Sequence, residues 1–142
     1  VQKDGDIYRF VPSVAPLKEK YRISDRYGYR THPISGERQF HAGLDMAAVY
    51  APTVHAPASG TVTFAGETPG YGKTVVVTHR FGFQTRYAHL TLIYTRKGAK
   101  VEKGDVIGFV GSTGISTGNH LHYEVIKNQK RINPLNFIYG TK

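Results

Sequence analysis

The sequence predicts an all-β fold on the strength of three observations. Short apolar or alternating segments recur along the chain, glycine lies at nearly every join between them, and after residue 50 only one segment resembles a helix. Many short strands joined by glycine turns are typical of a β-sandwich or β-barrel. With 142 residues the chain has the length of one domain with its own core.

The first part of the chain carries weaker patterns. Residues 1–20 contain Pro12 and Pro16 and little periodicity, so we expect an N-terminal arm leading into a domain of residues 21–142. Residues 21–40 are aromatic and turn-rich, and Pro33 disfavours helical backbone before it, so a loop is predicted there. Residues 40–50 fit either a strand or a short helix.

Regular strands are predicted after this point. They cover residues 61–65, 73–79, 83–88 and 106–110, with another starting at His120, and the second and third form a hairpin. Residues 134–138 are predicted to form a short helical turn, because proline is favoured at the first helical position.

The composition limits the classes of partner and site. Nineteen Lys and Arg against ten Asp and Glu give a net charge of +9, which favours anionic partners. The basic residues are scattered without a nucleic-acid-binding signature, so no nucleic-acid partner is predicted. No apolar run approaches the ~20 residues of a membrane span. The chain has no cysteine, so any metal site must use His, Asp and Glu.

The segment His120-Leu121-His122 is the first candidate for chemistry. Side chains two residues apart on a strand share one face and lie about 7 Å apart along the chain. Two neutral imidazoles there can converge on a zinc ion. From spacing alone, either or both of His120 and His122 could be ligands.

His41 and Asp45 form a second candidate, four residues apart. In a flat strand they would be about 13 Å apart, whereas two side chains sharing one zinc ion reach only roughly 11 Å. The segment must therefore bend, for which Gly43 is a natural position, or coil into a helix. Ala42 stands where a His-Glu-x-x-His motif has its glutamate, so a general base must come from another residue.

A third candidate, His89, ends a predicted strand in Tyr-Ala-His-Leu. In this order, His-x-x-x-Asp, Tyr-Ala-His-Leu and Gly-Ser-Thr-Gly-x-Ser-Thr-Gly-x-His-Leu-His resemble the lysostaphin/LytM-type zinc endopeptidases, which cleave peptide cross-links in peptidoglycan. The likeness runs from about residue 27 to residue 134. It implies a barrel-sandwich-like core of antiparallel sheets, related to biotinyl and lipoyl carrier domains, with long active-site loops.

The resemblance implies a role for each matched residue. Zn²⁺ is expected on His41, Asp45 and His122, and His89 and His120 are expected to form the catalytic pair. His120 is then not a ligand, although its spacing would allow it to be one. Substrate contacts are expected from Arg30, whose guanidinium suits a carboxylate, and from His32 and Asn119.

The expected function follows from the same resemblance. It is zinc-dependent cleavage of peptidoglycan stem-peptide cross-links, with D-Ala–diaminopimelate bonds preferred, by a catalytic domain of residues 21–142. The bacterial periplasm, or the extracellular cell wall, is the expected compartment, and anionic cell-wall polymer is a further expected partner. The alternative is a catalytically silent family member that regulates another cell-wall hydrolase. A carrier module is disfavoured because neither Lys73 nor Lys103 has a modification motif.

Overall fold

The computed structural model describes residues 9–12, 14–17, 21–31, 36, 38–48, 53–111 and 120–137. Within them the chain forms twelve strands and one 3₁₀ turn. They are β1 (Tyr21–Asp25), β2 (Gly28–Thr31), β3 (Arg38–His41), β4 (Leu44–Ala48), β5 (Thr53–His55), β6 (Gly60–Thr68), β7 (Gly72–Thr78), β8 (Phe83–Ile93), β9 (Lys100–Val101), β10 (Val106–Val110), β11 (His120–Lys127), β12 (Lys130–Ile132) and η1 (Pro134–Phe137). The predicted all-β fold is confirmed.

One large antiparallel sheet organises the described part of the chain. Its strands run in the order β1-β4-β11-β8-β7-β6-β9, while β12 pairs with β11, and β10 pairs with both β5 and β8. Strands β2 and β3 form a separate two-stranded ribbon. Strand β11 therefore lies between β4 and β8, and this places the three candidate segments side by side.

The loop prediction for residues 21–40 is wrong over three segments. Strand β1 pairs with β4, and β2 pairs with β3, where Tyr29 lies opposite Phe40 with their ring centroids 5.0 Å apart. The glycines and the proline made these short segments resemble turns. The pairing partners that stabilise the strands lie in other segments and are not visible in the local pattern. Residues 44–48 form a strand, so the helical alternative predicted for residues 40–50 is wrong as well.

The core lies behind the central strands. Leu44 and Leu121 are fully buried, and the rings of Tyr87 and Tyr123 stack with centroids 5.5 Å apart. Strand β11 is buried at every position except its two ends, including His122 and Glu124 on the face opposite Leu121. That second face is therefore a covered cleft rather than an open sheet surface.

The described part of the N-terminal segment packs against the domain. Leu17 is 2% exposed and bridges to Val54, and the backbone N–H of Ser59 donates to the carbonyl of Arg9 over 2.8 Å. No helix in the described ranges combines the length and the apolar character that crossing a bilayer requires.

Candidate metal centre and active site

The pairing of β4 with β11 sets Asp45 directly opposite His122. Asp45 Oδ1 lies 2.7 Å from His122 Nδ1, and Asp45 Oδ2 lies 3.4 Å from His41 Nε2. One ligand atom from each residue lies within 4.8 Å of the others. Tetrahedral zinc with bonds of about 2.0–2.1 Å holds its ligands roughly 3.3 Å apart, so this donor set fits zinc.

A bend between β3 and β4 brings His41 and Asp45 together, at the position expected from Gly43. A Cβ added at Gly43 would lie 2.8 Å from His122 Cε1 and 2.8 Å from the carbonyl oxygen of Tyr123. These contacts are closer than real Cβ atoms tolerate. Glycine therefore lets the bend pass directly beneath the imidazole of His122.

Hydrogen bonds determine which nitrogen each histidine presents. His41 Nδ1 donates to the carbonyl of Arg26 over 2.9 Å, which leaves Nε2 directed at Asp45. His122 Nε2 donates to Glu124 Oε2 over 2.8 Å, which leaves Nδ1 directed at Asp45. Metal-binding histidines commonly have such an acceptor on the other nitrogen.

Sequence reasoning missed Glu124. Its carboxyl is fully buried, and besides His122 it accepts hydrogen bonds from Tyr71 Oη at 3.2 Å and from Arg131 Nε at 2.9 Å, with Arg86 3.6 Å away. The available signal was its position two residues after His122, which places both on one face of the strand. Tyr71 and Arg131 carried no such signal.

Asp45, His122 and Glu124 shift one another's pKa values. Burial raises the pKa of Asp45, but hydrogen bonds and charge from His122 and His41 hold it well below its usual range. Burial lowers the pKa of His122, whereas its bonds and charge interactions with Asp45 and Glu124 raise it to about 9. Burial raises the pKa of Glu124, and His122 and Arg131 lower it to about 2. Asp45 and Glu124, the two carboxylates that favour a proton on His122, also favour a metal cation in place of that proton.

His89 and His120 form a second pair beside the metal site. Their ring centroids are 5.3 Å apart, and those of His89 and His122 are 6.1 Å apart. His89 has a φ of 62°, in the left-handed region, and its N–H donates to the carbonyl of Tyr71 over 2.8 Å. The catalytic pair expected from the sequence therefore lies together in the cleft.

A bulge in β8 accounts for the direction of His89. Between the pairs Val75↔Tyr87 and Lys73↔Leu90, β7 advances two residues and β8 advances three. The extra residue reverses the alternation of faces, so Tyr87 and Leu90 are both core residues. His89, which an unbroken strand would direct into the core, joins the face of His122 instead.

The expected substrate residues are only partly described. The backbone of Arg30 lies in β2 opposite Gln39. His32 and Asn119 lie outside the described residues, as does the polar segment 112–119.

Comparison with known proteins agrees with this geometry. The sequence profile described as Peptidase family M23 matches residues 39–134. The chain is 48% identical over 120 residues to the DD-carboxypeptidase/endopeptidase Mpg of Neisseria meningitidis, covering 84% of this chain and 28% of the relative. It is 36% identical over 134 residues to the peptidoglycan DD-endopeptidase ShyA of Vibrio cholerae, covering 94% and 31%. The chain thus spans less than a third of these curated relatives.

Solved structures share the fold as well. A zinc-containing peptidase from Vibrio cholerae superposes with a TM-score of 0.78 at 32% identity, covering 88% of this chain and 39% of that one. The catalytic domain of lysostaphin from Staphylococcus simulans superposes with a TM-score of 0.74 at 30% identity, covering 82% and 91%. The predicted resemblance to lysostaphin-type endopeptidases is confirmed, and the chain belongs to peptidase family M23.

Proposed function

We propose that the chain is a zinc-dependent DD-endopeptidase that cleaves stem-peptide cross-links of bacterial peptidoglycan. The observation that carries the proposal is the convergence of His41, Asp45 and His122, with His89 and His120 beside them. The names of the curated relatives, DD-carboxypeptidase/endopeptidase and peptidoglycan DD-endopeptidase, support the substrate class. D-Ala–diaminopimelate bonds are the proposed cross-link.

In the proposed site, His41 Nε2, Asp45 and His122 Nδ1 hold Zn²⁺. When bound, zinc lowers the pKa of a water ligand toward 7 and polarises the scissile carbonyl. Three protein ligands are typical of catalytic zinc sites, which keep a position open for water or substrate. Zn²⁺ is the proposed cofactor because the donors are nitrogen and oxygen atoms in a compact cluster.

His89 and His120, the second histidine pair, are proposed to carry out the proton transfers. A neutral imidazole can accept a proton and an imidazolium can donate one, so one of His89 and His120 can accept the proton of the attacking water and return it to the leaving amine. The other can donate a hydrogen bond to the oxyanion of the tetrahedral intermediate. A separation of 5.3 Å between the rings lets both contact a single substrate carbonyl carbon and its substituents.

Substrate contacts and location extend the proposal. Arg30, His32 and Asn119 are proposed to contact the stem peptide, and the net charge of +9 is proposed to attract anionic cell-wall polymer. Such an enzyme acts in the periplasm or cell wall, where its substrate is.

The test uses purified chain and a defined dimeric muropeptide containing a D-Ala–diaminopimelate bond. We expect one zinc per chain and two monomeric products of the masses that hydrolysis of this bond requires. His122→Ala is expected to lose both zinc and cleavage. Full zinc loading and unchanged cleavage by His122→Ala would contradict the site, and absence of zinc from the wild type would favour the catalytically silent alternative.

A further inference from the structure

We propose that Glu124 is a positioning residue of the metal site: it holds His122 through Nε2 and so fixes Nδ1 as the nitrogen offered to zinc. The inference rests on the proposed function, because it concerns the same metal site. It assigns a task to a buried charge that neither the ligand set nor the catalytic pair explains.

The first step of the argument is the tautomer of His122. A neutral imidazole carries its proton on one nitrogen and can bind a metal only through the other. An ionised carboxylate is an acceptor only, so Glu124, 2.8 Å from Nε2, keeps a proton on that nitrogen. Nδ1 faces Asp45, so Nδ1 is the nitrogen from which zinc can displace a proton.

The second step is the fixation of Glu124 itself. Its Oε2 accepts from His122 and from Tyr71 Oη, while its Oε1 accepts from Arg131 Nε and lies 3.6 Å from Arg86 Nη1. With both oxygens engaged, the carboxylate has a single orientation. The two guanidinium groups also compensate a charge that would otherwise be costly to bury.

The third step is the link to the catalytic pair. Tyr71, which donates to Glu124, packs its ring 5.5 Å from that of His122 and accepts the backbone N–H of His89 over 2.8 Å. Tyr71 thus contacts both Glu124, which hydrogen-bonds the proposed ligand His122, and His89, which lies in the bulge. Zinc and the second histidine pair are positioned by one connected set of contacts.

A merely structural Glu124 would neutralise Arg86 and Arg131 and do nothing for the metal. In that case Glu124→Gln would lower stability but leave the zinc affinity of folded protein unchanged. Positioning predicts a different result. The amide of Gln can accept from Nε2–H only through its oxygen, and it has no charge. With its oxygen in that place, its NH₂ group would face the Arg131 Nε–H, which is also a donor.

The experiment measures zinc dissociation constants by chelator competition for wild type, Glu124→Gln and Glu67→Gln. Glu67 is an exposed carboxylate on β6 and controls for the loss of one negative charge. We expect affinity to fall about 10–100-fold for Glu124→Gln, the usual effect of losing such a partner, and to stay unchanged for Glu67→Gln. Cleavage by Glu124→Gln should recover at saturating zinc, unlike that of His122→Ala.

A spectroscopic readout separates positioning from folding. In ¹H–¹⁵N spectra of zinc-loaded wild type, the Nε2–H proton of His122 should resonate downfield, as expected for a bond to a carboxylate, and should move upfield in Glu124→Gln. Arg131→Gln, which leaves Glu124 in place at a half-exposed position, should weaken zinc binding several-fold. Unchanged affinity and unchanged Nε2–H in a folded Glu124→Gln would overturn the proposal. A wild type without zinc would instead overturn the proposed function.

Discussion

Asp45 and His122 are direct cross-strand partners of β4 and β11, and Asp45 Oδ1 lies 2.7 Å from His122 Nδ1. Cross-strand partners on one sheet face are held at short range by the backbone ladder itself. The third donor, His41, reaches the same point only because the chain bends before β4. The proposed metal site therefore combines Asp45 and His122, which the strand pairing fixes, with His41, which the bend before β4 positions.

The two histidines of His120-Leu121-His122 should separate in mutagenesis. His122→Ala removes a proposed ligand, so bound zinc should be lost. His120→Ala should retain zinc but lower kcat about 100–10,000-fold, the usual contribution of a positioned acid or base. Zinc content by atomic absorption and turnover on the muropeptide dimer measure the two effects. Zinc loss in His120→Ala would show that His120 is a ligand, and the division of roles would be wrong.

The left-handed backbone of His89 predicts an unusual order of stability. With φ at 62°, alanine there is strained by about 1–2 kcal/mol, whereas glycine is not. His89→Gly should therefore be more stable than His89→Ala by about 1 kcal/mol, the reverse of the order in an ordinary strand. Both should lose turnover, because both lack the imidazole. Urea unfolding measures the difference, and an alanine variant as stable as the glycine variant would contradict the bulge geometry.

Gly43 should not accept even a methyl group. The added Cβ of Gly43→Ala would meet His122 Cε1 and the Tyr123 carbonyl oxygen, and the carbonyl belongs to the central strand. Overpacking of this kind lowers stability by about 1–3 kcal/mol, and displacement of His122 should also weaken zinc binding. Gly66→Ala is the matched control, since its nearest neighbour would be 3.6 Å away. Equal effects of the two substitutions on zinc affinity would contradict the assigned close approach.

Stability should fall as the pH drops below about 6.5, because of a histidine outside the cleft. Burial lowers the pKa of His79 to about 4, although a hydrogen bond to the carbonyl of Ser59 opposes the shift. Between pH 6.5 and pH 4, His79 therefore binds a proton in the unfolded chain but not in the folded chain. The free energy of unfolding consequently decreases as the pH falls from 6.5 toward 4. The linkage amounts to roughly 2 kcal/mol between pH 7 and pH 5.

The check compares unfolding free energies of metal-free wild type and His79→Gln at both pH values, so that zinc release does not contribute. The variant should be less stable at pH 7 but show a weaker fall toward pH 5. Identical pH dependence in the two proteins would mean that His79 is not the group responsible.

Local patterns in the sequence predicted much of the fold. Strands β6 to β8 and β10 alternate or run apolar between glycines, so their existence could be predicted, although β8 continues five residues beyond its predicted end at Ala88. Strands β1 to β3 could not, because their pairing energy comes from partners and aromatic contacts that no local pattern encodes. A departure from a flat strand between His41 and Asp45 could be predicted, since a flat segment cannot bring them to one ion, but the sequence left open whether it was a bend at Gly43 or a helix.

The candidate site was predictable as a set of residue types but not as a network. Spacing pointed to His41 and Asp45 and to either or both of His120 and His122, and the family resemblance selected His122. The convergence of His41, Asp45 and His122 agrees with that choice. Glu124 looked like an ordinary strand residue, because its importance depends on Tyr71 and Arg131, which are distant in sequence. The direction of His89 was not predictable either, since one extra residue in a strand leaves no mark on composition.

The bulge in β8 makes the cleft depend on backbone geometry as well as on side-chain identity. If the same residues formed an unbroken strand after Tyr87, without the bulge, inside and outside would be exchanged beyond that point. An imidazole would then face the apolar interior and a leucine the cleft. The extra residue of the bulge therefore decides which side chains of β8 line the cleft, whatever residue types the strand contains.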